Sequence, residues 1–332
     1  MKQLVFERTG EPRAVLHLQD DVPVPPLQRH EVLIRMLAAP INPSDVMYIR
    51  GHYGIRPQLP AVPGFEGVGI VESHGGSLLG WWRRGRRVAL LGPRTGTWAE
   101  YTIAAARQVL PVPNDWPDEL AATFFVNPAT ALAMVRYVLA VPRGAWLMQS
   151  AAASEVGKMI IRLGRLYGFR TFNVVRRPEH VDLLRQLGGD VVVLANETPL
   201  AELAARYAPE GIHLAVDPVG GDIASDLLTA LAPGGRCLIY GSLAEAPLRV
   251  EPRHLISTGI RIEGFWLARW LQQQRLIRLL RFFRSVRRLV HRGVLQSTIA
   301  AVYPMEQFHE ALEHATRAGK GGKVVFRLST HR

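Results

Sequence analysis

Two short runs hold the residues best suited to chemistry. Ser150-Ala151-Ala152-Ala153-Ser154-Glu155-Val156-Gly157 is a turn of small side chains. Small residues let backbone amides approach a pyrophosphate, and Gly157 allows a helix to pack closely on a strand. The run is not a full G-x-G-x-x-G fingerprint, so its position between a strand and a helix carries most of its weight. The second run is Arg176-Arg177, at the end of the next strand. Two guanidinium groups there can bind a 2′-phosphate through charge-assisted bonds, whereas a carboxylate would repel it and hold ribose hydroxyls instead. That favours NADPH over NADH, although an arginine pair after a strand can also be simply solvated. Glu155 suits the start of a helix dipole but competes with a phosphate for it, and Lys158 offsets part of that charge.

The surrounding pattern supplies the elements these runs need. Apolar strands are expected at 145–149, 171–175, 190–194, 213–217 and 236–240, alternating with helices at 154–167, 179–187, 200–207 and 222–231. Such alternation signals a parallel, doubly wound α/β sheet, which binds ligands at the carboxyl ends of its strands. Before it lie short strands at 31–36, 67–72 and 87–91, punctuated by Pro and Gly, which read as a small β domain to about residue 120. The tail after about 265 reads as helical, ends in a strand at 323–326, and is expected to return to the first domain. The expected division is 1–120 with 265–332 as one domain and 121–264 as the other.

Composition bounds the function classes. The chain has 332 residues, 48% of them hydrophobic, enough for two packed cores. No apolar run approaches the length of a membrane span, and the first residues lack the apolar core of a signal peptide, so a cytoplasmic protein is the expectation. The single cysteine, Cys237, excludes an intramolecular disulfide and a multi-cysteine zinc site. The formal charge of +12 is carried almost wholly by arginine. It fits either an anionic partner or an arginine-rich solvated surface.

Several segments together resemble the medium-chain dehydrogenase/reductase superfamily, and within it the zinc-independent 2-enoyl thioester reductase branch. They are Ile41-Asn42-Pro43-Ser44-Asp45, Gly51-His52-Tyr53-Gly54, the 59–69 run through Gly64-Phe65-Glu66, Asn127-Pro128-Ala129-Thr130-Ala131, 173–177, and Gly264-Phe265-Trp266-Leu267. The second and last are specific to the branch. The resemblance implies a GroES-like, partly open β-barrel catalytic domain and a Rossmann domain with the cofactor in the cleft between them, commonly in a homodimer. Zinc-dependent relatives carry a cysteine in the stretch matching Asn42 to Asp45 and a histidine where Phe65 stands, so no metal is expected.

On this resemblance Tyr53 matches the branch's catalytic tyrosine. A phenol stays protonated at neutral pH and can donate to an enolate formed by hydride addition to a 2-enoyl thioester on coenzyme A or acyl carrier protein. Asn42, Asn127, Thr130, Ser154, Val156, Gly157, Arg176, Arg177, Tyr240, Gly241, Ser242, Leu243, Phe265, Trp266, Leu267 and Lys323 match cofactor contacts. Phe65 and Trp266 would line the substrate pocket. Phe65 replaces an asparagine common in the branch, which bears on acyl preference. Phe265, Trp266 and Trp270 read equally well as core packing. Two rivals stand beside this reading: an NADPH:quinone oxidoreductase on the same fold, and a non-catalytic NADPH-binding protein.

The segment Leu271 to Arg292 sets Arg275, Arg278, Arg281, Arg284, Arg287, Arg288 and Arg292 on one broad face. Leu276, Leu279, Phe282, Phe283, Val286 and Val290 fall mainly on the other. The basic face is either solvated or a docking surface for an acidic carrier or the phosphates of coenzyme A. Neither nucleic acid nor a membrane is counted among the expected partners.

Overall fold

The structure, a computed structural model, describes residues 1–329. In chain order the strands begin with β1 (Gln3–Phe6), β2 (Leu16–Gln19), β3 (Glu31–Pro40), β4 (Glu66–His74), β5 (Arg87–Leu91), β6 (Tyr101–Ala105) and β7 (Val109–Pro111). Next come β8 (Trp146–Gln149), β9 (Arg170–Val175), β10 (Val191–Leu194), β11 (Leu214–Asp217), β12 (Arg236–Ile239) and β13 (Arg261–Gly264). The last are β14 (Ile299–Pro304) and β15 (Lys323–Arg327). The chain divides into two compact units: Met1–Val126 with Gln296–Arg332, and Asn127–Leu295.

The first unit is built on a mixed sheet ordered β14-β15-β3-β4-β5-β7, with β6 also pairing with β3. The long central strand β3 is buried over most of its length, as its near-continuous apolar sequence requires. Trp98, Phe6, Phe326, Ile34 and Met36 fill the core beneath it. This is the GroES-like unit, and β15 closes it from the far end of the sequence by pairing antiparallel with β3.

The second unit holds a six-stranded sheet ordered β10-β9-β8-β11-β12-β13, with every pairing parallel. It is the Rossmann arrangement, and its strand order reverses between β8 and β11. The helix Glu155–Tyr167 follows β8 directly and buries Val156, Met159, Ile160, Ile161 and Leu163 against the sheet. The helices Glu179–Leu187 and Leu200–Tyr207 have the bounds that periodicity assigned to them.

Two features differ from the sequence reading. Residues 265–295 belong to the sheet unit, not to the first one. Trp270 and Phe282 explain why: both rings stack edge-on against Tyr137, and against each other, inside the second unit. The arginine-rich segment is also two helices, Leu267–Gln272 and Leu276–His291, with a break at 273–275. Phe282, Val286, Leu289 and Val290 form the buried stripe of the longer one. The helical period carries Leu276 off that stripe, so it lies 70% exposed instead of packed.

Candidate active site

In the second unit the carboxyl ends of β8 and β11 are joined by a hydrogen bond from the Ser150 hydroxyl to the Asp217 carboxylate. The second Asp217 oxygen accepts from the amides of Val219 and Gly220 at 3.1 and 2.7 Å. Burial pushes this carboxyl up, and the Ser150 hydroxyl and the two amides pull against it. The strand ends at the sheet's reversal point are thus fixed by one fully buried side chain.

The turn that follows β8 has the close approach its composition suggested. A Cβ on Gly157 would lie 2.4 Å from the carbonyl oxygen of Ala152, so only glycine lets the helix start this close to the turn. Ser154 caps the helix by accepting from the Gly157 amide at 3.1 Å. Val156 is buried in the first turn of that helix. Glu155 and Lys158 form an ion pair with both side chains buried, which neutralises the carboxylate that would otherwise oppose a phosphate.

The other strand ends add polar and cationic groups. Arg176 is exposed just past β9, while Arg177 is half-buried with Glu179 3.6 Å from its guanidinium. After β12, Tyr240 is half-buried and its phenol is pushed up by burial, with the Asp217 charge adding and Ser154 opposing. Gly241 passes so near the next loop that a Cβ would sit 2.5 Å from the Pro218 carbonyl oxygen. Ser242 and Leu243 are exposed, and the Leu243 amide donates to Pro218. After β13, Phe265 and Leu267 are buried while Trp266 between them is 39% exposed. Asn127 and Thr130 sit in the helix Val126–Ala133, half-buried and buried. A small-residue turn at a helix start, glycines that let the backbone pack closely there and an exposed guanidinium at the second strand end suit a dinucleotide carrying a 2′-phosphate.

In the first unit, the helix Pro43–Arg50 begins at Asn42, whose amide donates to the Asp45 carboxylate at 2.7 Å. The other Asp45 oxygen accepts from the Phe65 amide at 3.1 Å. The Asn42 side chain donates to Glu66 at 2.9 Å and accepts from Lys323. Glu66 also accepts from the Val126 amide at 2.8 Å. All four side chains are essentially buried. Asn42 and Lys323 are therefore engaged with each other inside this unit, where sequence reasoning expected cofactor contacts. The reason is the pair of buried carboxylates, which need both a donor and a countercharge.

Above this cluster the aromatic rings form a row. Tyr48 meets Phe6 and Phe65 edge-on, and Tyr53 leans on Phe65 with centroids 5.2 Å apart and planes tilted by 36°. Tyr53 is half-buried in a loop whose neighbours His52, Gly54, Ile55 and Arg56 are exposed. Phe65 thus serves as a platform for the tyrosine ring. Among the described residues no three His, Cys, Asp or Glu side chains gather as a metal site.

Sequence reasoning singled out Tyr53, Phe65 and the turn but missed Asp45, Ser150 and Asp217 as organising groups. Asp217 closes an apolar strand, the position where a doubly wound sheet places polar side chains, and that signal could have found it. Ser150 lay in the motif but its partner is 67 residues away.

Comparison with known proteins gives consistent matches. The family model for an alcohol dehydrogenase GroES-like domain matches residues 28–114, and that for a zinc-binding dehydrogenase matches 156–285. Mitochondrial enoyl-acyl-carrier-protein reductase from Bos taurus is 33% identical over 335 residues, covering 99% of this chain and 89% of that protein. The crystal structure of quinone oxidoreductase from Thermus thermophilus, also solved with NADPH, is 31% identical with a TM-score of 0.79, over 98% of this chain and 100% of that one. A mutant form of enoyl thioester reductase from Candida tropicalis shares the fold, with a TM-score of 0.82 over 98% and 99% of the two chains at 22% identity.

The buried cluster generates two predictions. Lys323→Met leaves two interior carboxylates without their ammonium and is expected to cost about 3–5 kcal/mol in urea unfolding. Burial first, and the Glu66 charge second among the raising causes, push Asp45 from an ordinary 3.8 up to about 7. A carboxyl that holds its proton more tightly when folded stabilises fully below its unfolded value and loses that contribution as pH rises through its folded one. Melting temperature should therefore fall between about pH 4 and 7, and Asp45→Asn should flatten that fall.

Proposed function

The chain belongs to the medium-chain dehydrogenase/reductase superfamily of oxidoreductases, and from that premise we propose that it reduces the carbon–carbon double bond of a 2-enoyl thioester with NADPH. The observation that carries this reading is Tyr53 resting on Phe65, a phenol held by a ring at the edge of the first unit. The full-length likeness to enoyl-acyl-carrier-protein reductases supports the acceptor, and the NADPH complex of the quinone oxidoreductase relative supports the cofactor.

Bound NADPH would supply a hydride to the β-carbon of the enoyl group. Arg176 and Arg177 hold the 2′-phosphate, and the turn Ser150–Gly157 with the helix start at Ser154 takes the pyrophosphate. Tyr240, Gly241, Ser242 and Leu243, with Asn127, Thr130, Phe265, Trp266 and Leu267, border the remainder of the nucleotide. As charge builds on the thioester oxygen, the Tyr53 hydroxyl donates a hydrogen bond to it and can pass a proton to the α-carbon. Hydride and proton together account for the two hydrogens added. Trp266, part exposed, offers an apolar wall for the acyl chain.

The reading is zinc-independent on the chemistry of the donor set. Asn42 faces Glu66 and Lys323, Phe65 has no ligating atom, and Cys237 is buried in the other unit. A polarised alkene needs a proton donor where a carbonyl needs a Lewis acid. The surface that would meet an acyl carrier or coenzyme A phosphates is the arginine face of the helix Leu276–His291, and a homodimer is the expected assembly.

The quinone reading has a specific observation behind it, the quinone oxidoreductase relative at 31% identity. It uses the same nucleotide residues and no phenolic acid. Turnover of crotonyl-coenzyme A beside a benzoquinone separates the two. On crotonyl-coenzyme A, Tyr53→Phe should lower kcat about a hundredfold or more while NADPH affinity, read by fluorescence titration, is unchanged. Full activity of that variant on the thioester, or turnover of the quinone alone, sinks the proposal. Arg176→Ala/Arg177→Ala should weaken NADPH about tenfold or more with little change for NADH, measured as KM for each.

A further inference from the structure

The short helix Leu78–Arg83, between β4 and β5, is turned the wrong way for a soluble surface. It contains two leucines and two tryptophans, yet the residue it buries is Gly80. A Cβ on Gly80 would lie 2.9 Å from the Cβ of His74, so the glycine lets the helix backbone lie flat against the end of β4. The large side chains therefore face outward: Leu78 is 81% exposed, Trp81 63%, and Trp82 and Leu79 are also exposed. Four large apolar side chains exposed on one short helix make it a candidate contact surface.

The sequence around it is cationic. No acidic residue occurs between Glu72 and Glu100. Arg86 stacks on the Trp82 ring at 3.9 Å and donates to the Trp82 carbonyl, and Arg83 covers the same ring at 4.7 Å. The next residue, Arg87, pairs with Asp118, but Arg83, Arg84 and Arg86 have no carboxylate partner among the described residues. Three neighbouring guanidiniums without countercharge attract anions, and the apolar side chains beside them favour a nonpolar phase.

We propose that this tip, Leu78 to Arg86, docks peripherally on an anionic lipid bilayer. Tryptophan favours the headgroup level, where its ring sits in the acyl boundary and its N–H stays wet, and arginine pairs with lipid phosphates. Leu78 and Leu79 enter the acyl boundary beside the rings. The occupant is a bilayer and not a folded partner because of size. Four partly exposed side chains offer on the order of a few hundred Å², below the roughly 800 Å² per partner of a stable protein interface. The contact needs no span, and no helix among the described residues is long and apolar enough to cross a membrane. It is independent of the reaction proposed above.

The test is flotation of the full chain with vesicles of phosphatidylcholine alone or mixed with phosphatidylglycerol. Since a chain of formal charge +12 attracts anionic vesicles non-specifically, two variants are compared. Trp81→Ser/Trp82→Ser should reduce binding to the anionic vesicles by about tenfold or more. Arg281→Gln/Arg284→Gln, on the other basic surface, should bind like the parent. Unchanged melting temperature checks that both variants are folded. The proposal is overturned if the tryptophan variant binds as the parent does, if only the Arg281/Arg284 variant loses binding, or if the tryptophan variant changes the oligomeric state in light scattering, which would make the patch an interface between copies.

Discussion

The first unit is organised around a charge problem in its interior. Two carboxylates, Asp45 and Glu66, lie out of water with one ammonium, Lys323, and one amide, Asn42. Ionised together, the acids would exceed the available countercharge, and such an excess is expensive in a low dielectric. Burial pushes both carboxyls up, and the Lys323 charge pulls each of them back down. Each group has a second duty. Asp45 fixes the Phe65 amide, Glu66 fixes the Val126 amide, and Asn42 starts the helix that leads to Tyr53. The platform ring and the phenol upon it take their places from this arrangement.

The sheet unit solves a different problem, and at depth it does so with neutral contacts. Its strands reach the reversal point side by side, and the groups there must be held without filling the space a ligand needs. Buried amides do this at depth: Gln149 donates to Asn173, which in turn donates to the carbonyl of Val191, spanning β8, β9 and β10. At the edge, glycines at 157 and 241 admit backbone where any side chain would collide. The result is a rigid floor with small residues above it, the usual way this fold receives a phosphate.

Much of this is legible in the sequence because it is periodic. The strand–helix alternation from residue 145 to 240 yields the parallel sheet nearly residue by residue, and the break in acidity at Arg176 marks the second strand end. The interior cluster is not legible. Asn42, Glu66 and Lys323 are each unremarkable locally, and they become one group only when a strand more than 250 residues downstream pairs with β3. The placement of residues 265–295 was hidden for the same reason. Tyr137 is far in the chain from Trp270 and Phe282, and aromatic contact decides which body a helix joins. The outward helix at Leu78 reads as a core segment by composition alone, and only the buried glycine reveals its orientation.

The closure of the first unit by β15 has a consequence for how the polypeptide emerges from the ribosome. The sheet unit is one continuous stretch and can fold as soon as it clears the exit tunnel. The amino-terminal stretch cannot complete its interior alone, since the ammonium its acids require lies on a strand that follows the whole sheet unit. Until that strand is made, the first unit lacks both the countercharge for its interior acids and the antiparallel partner of β3.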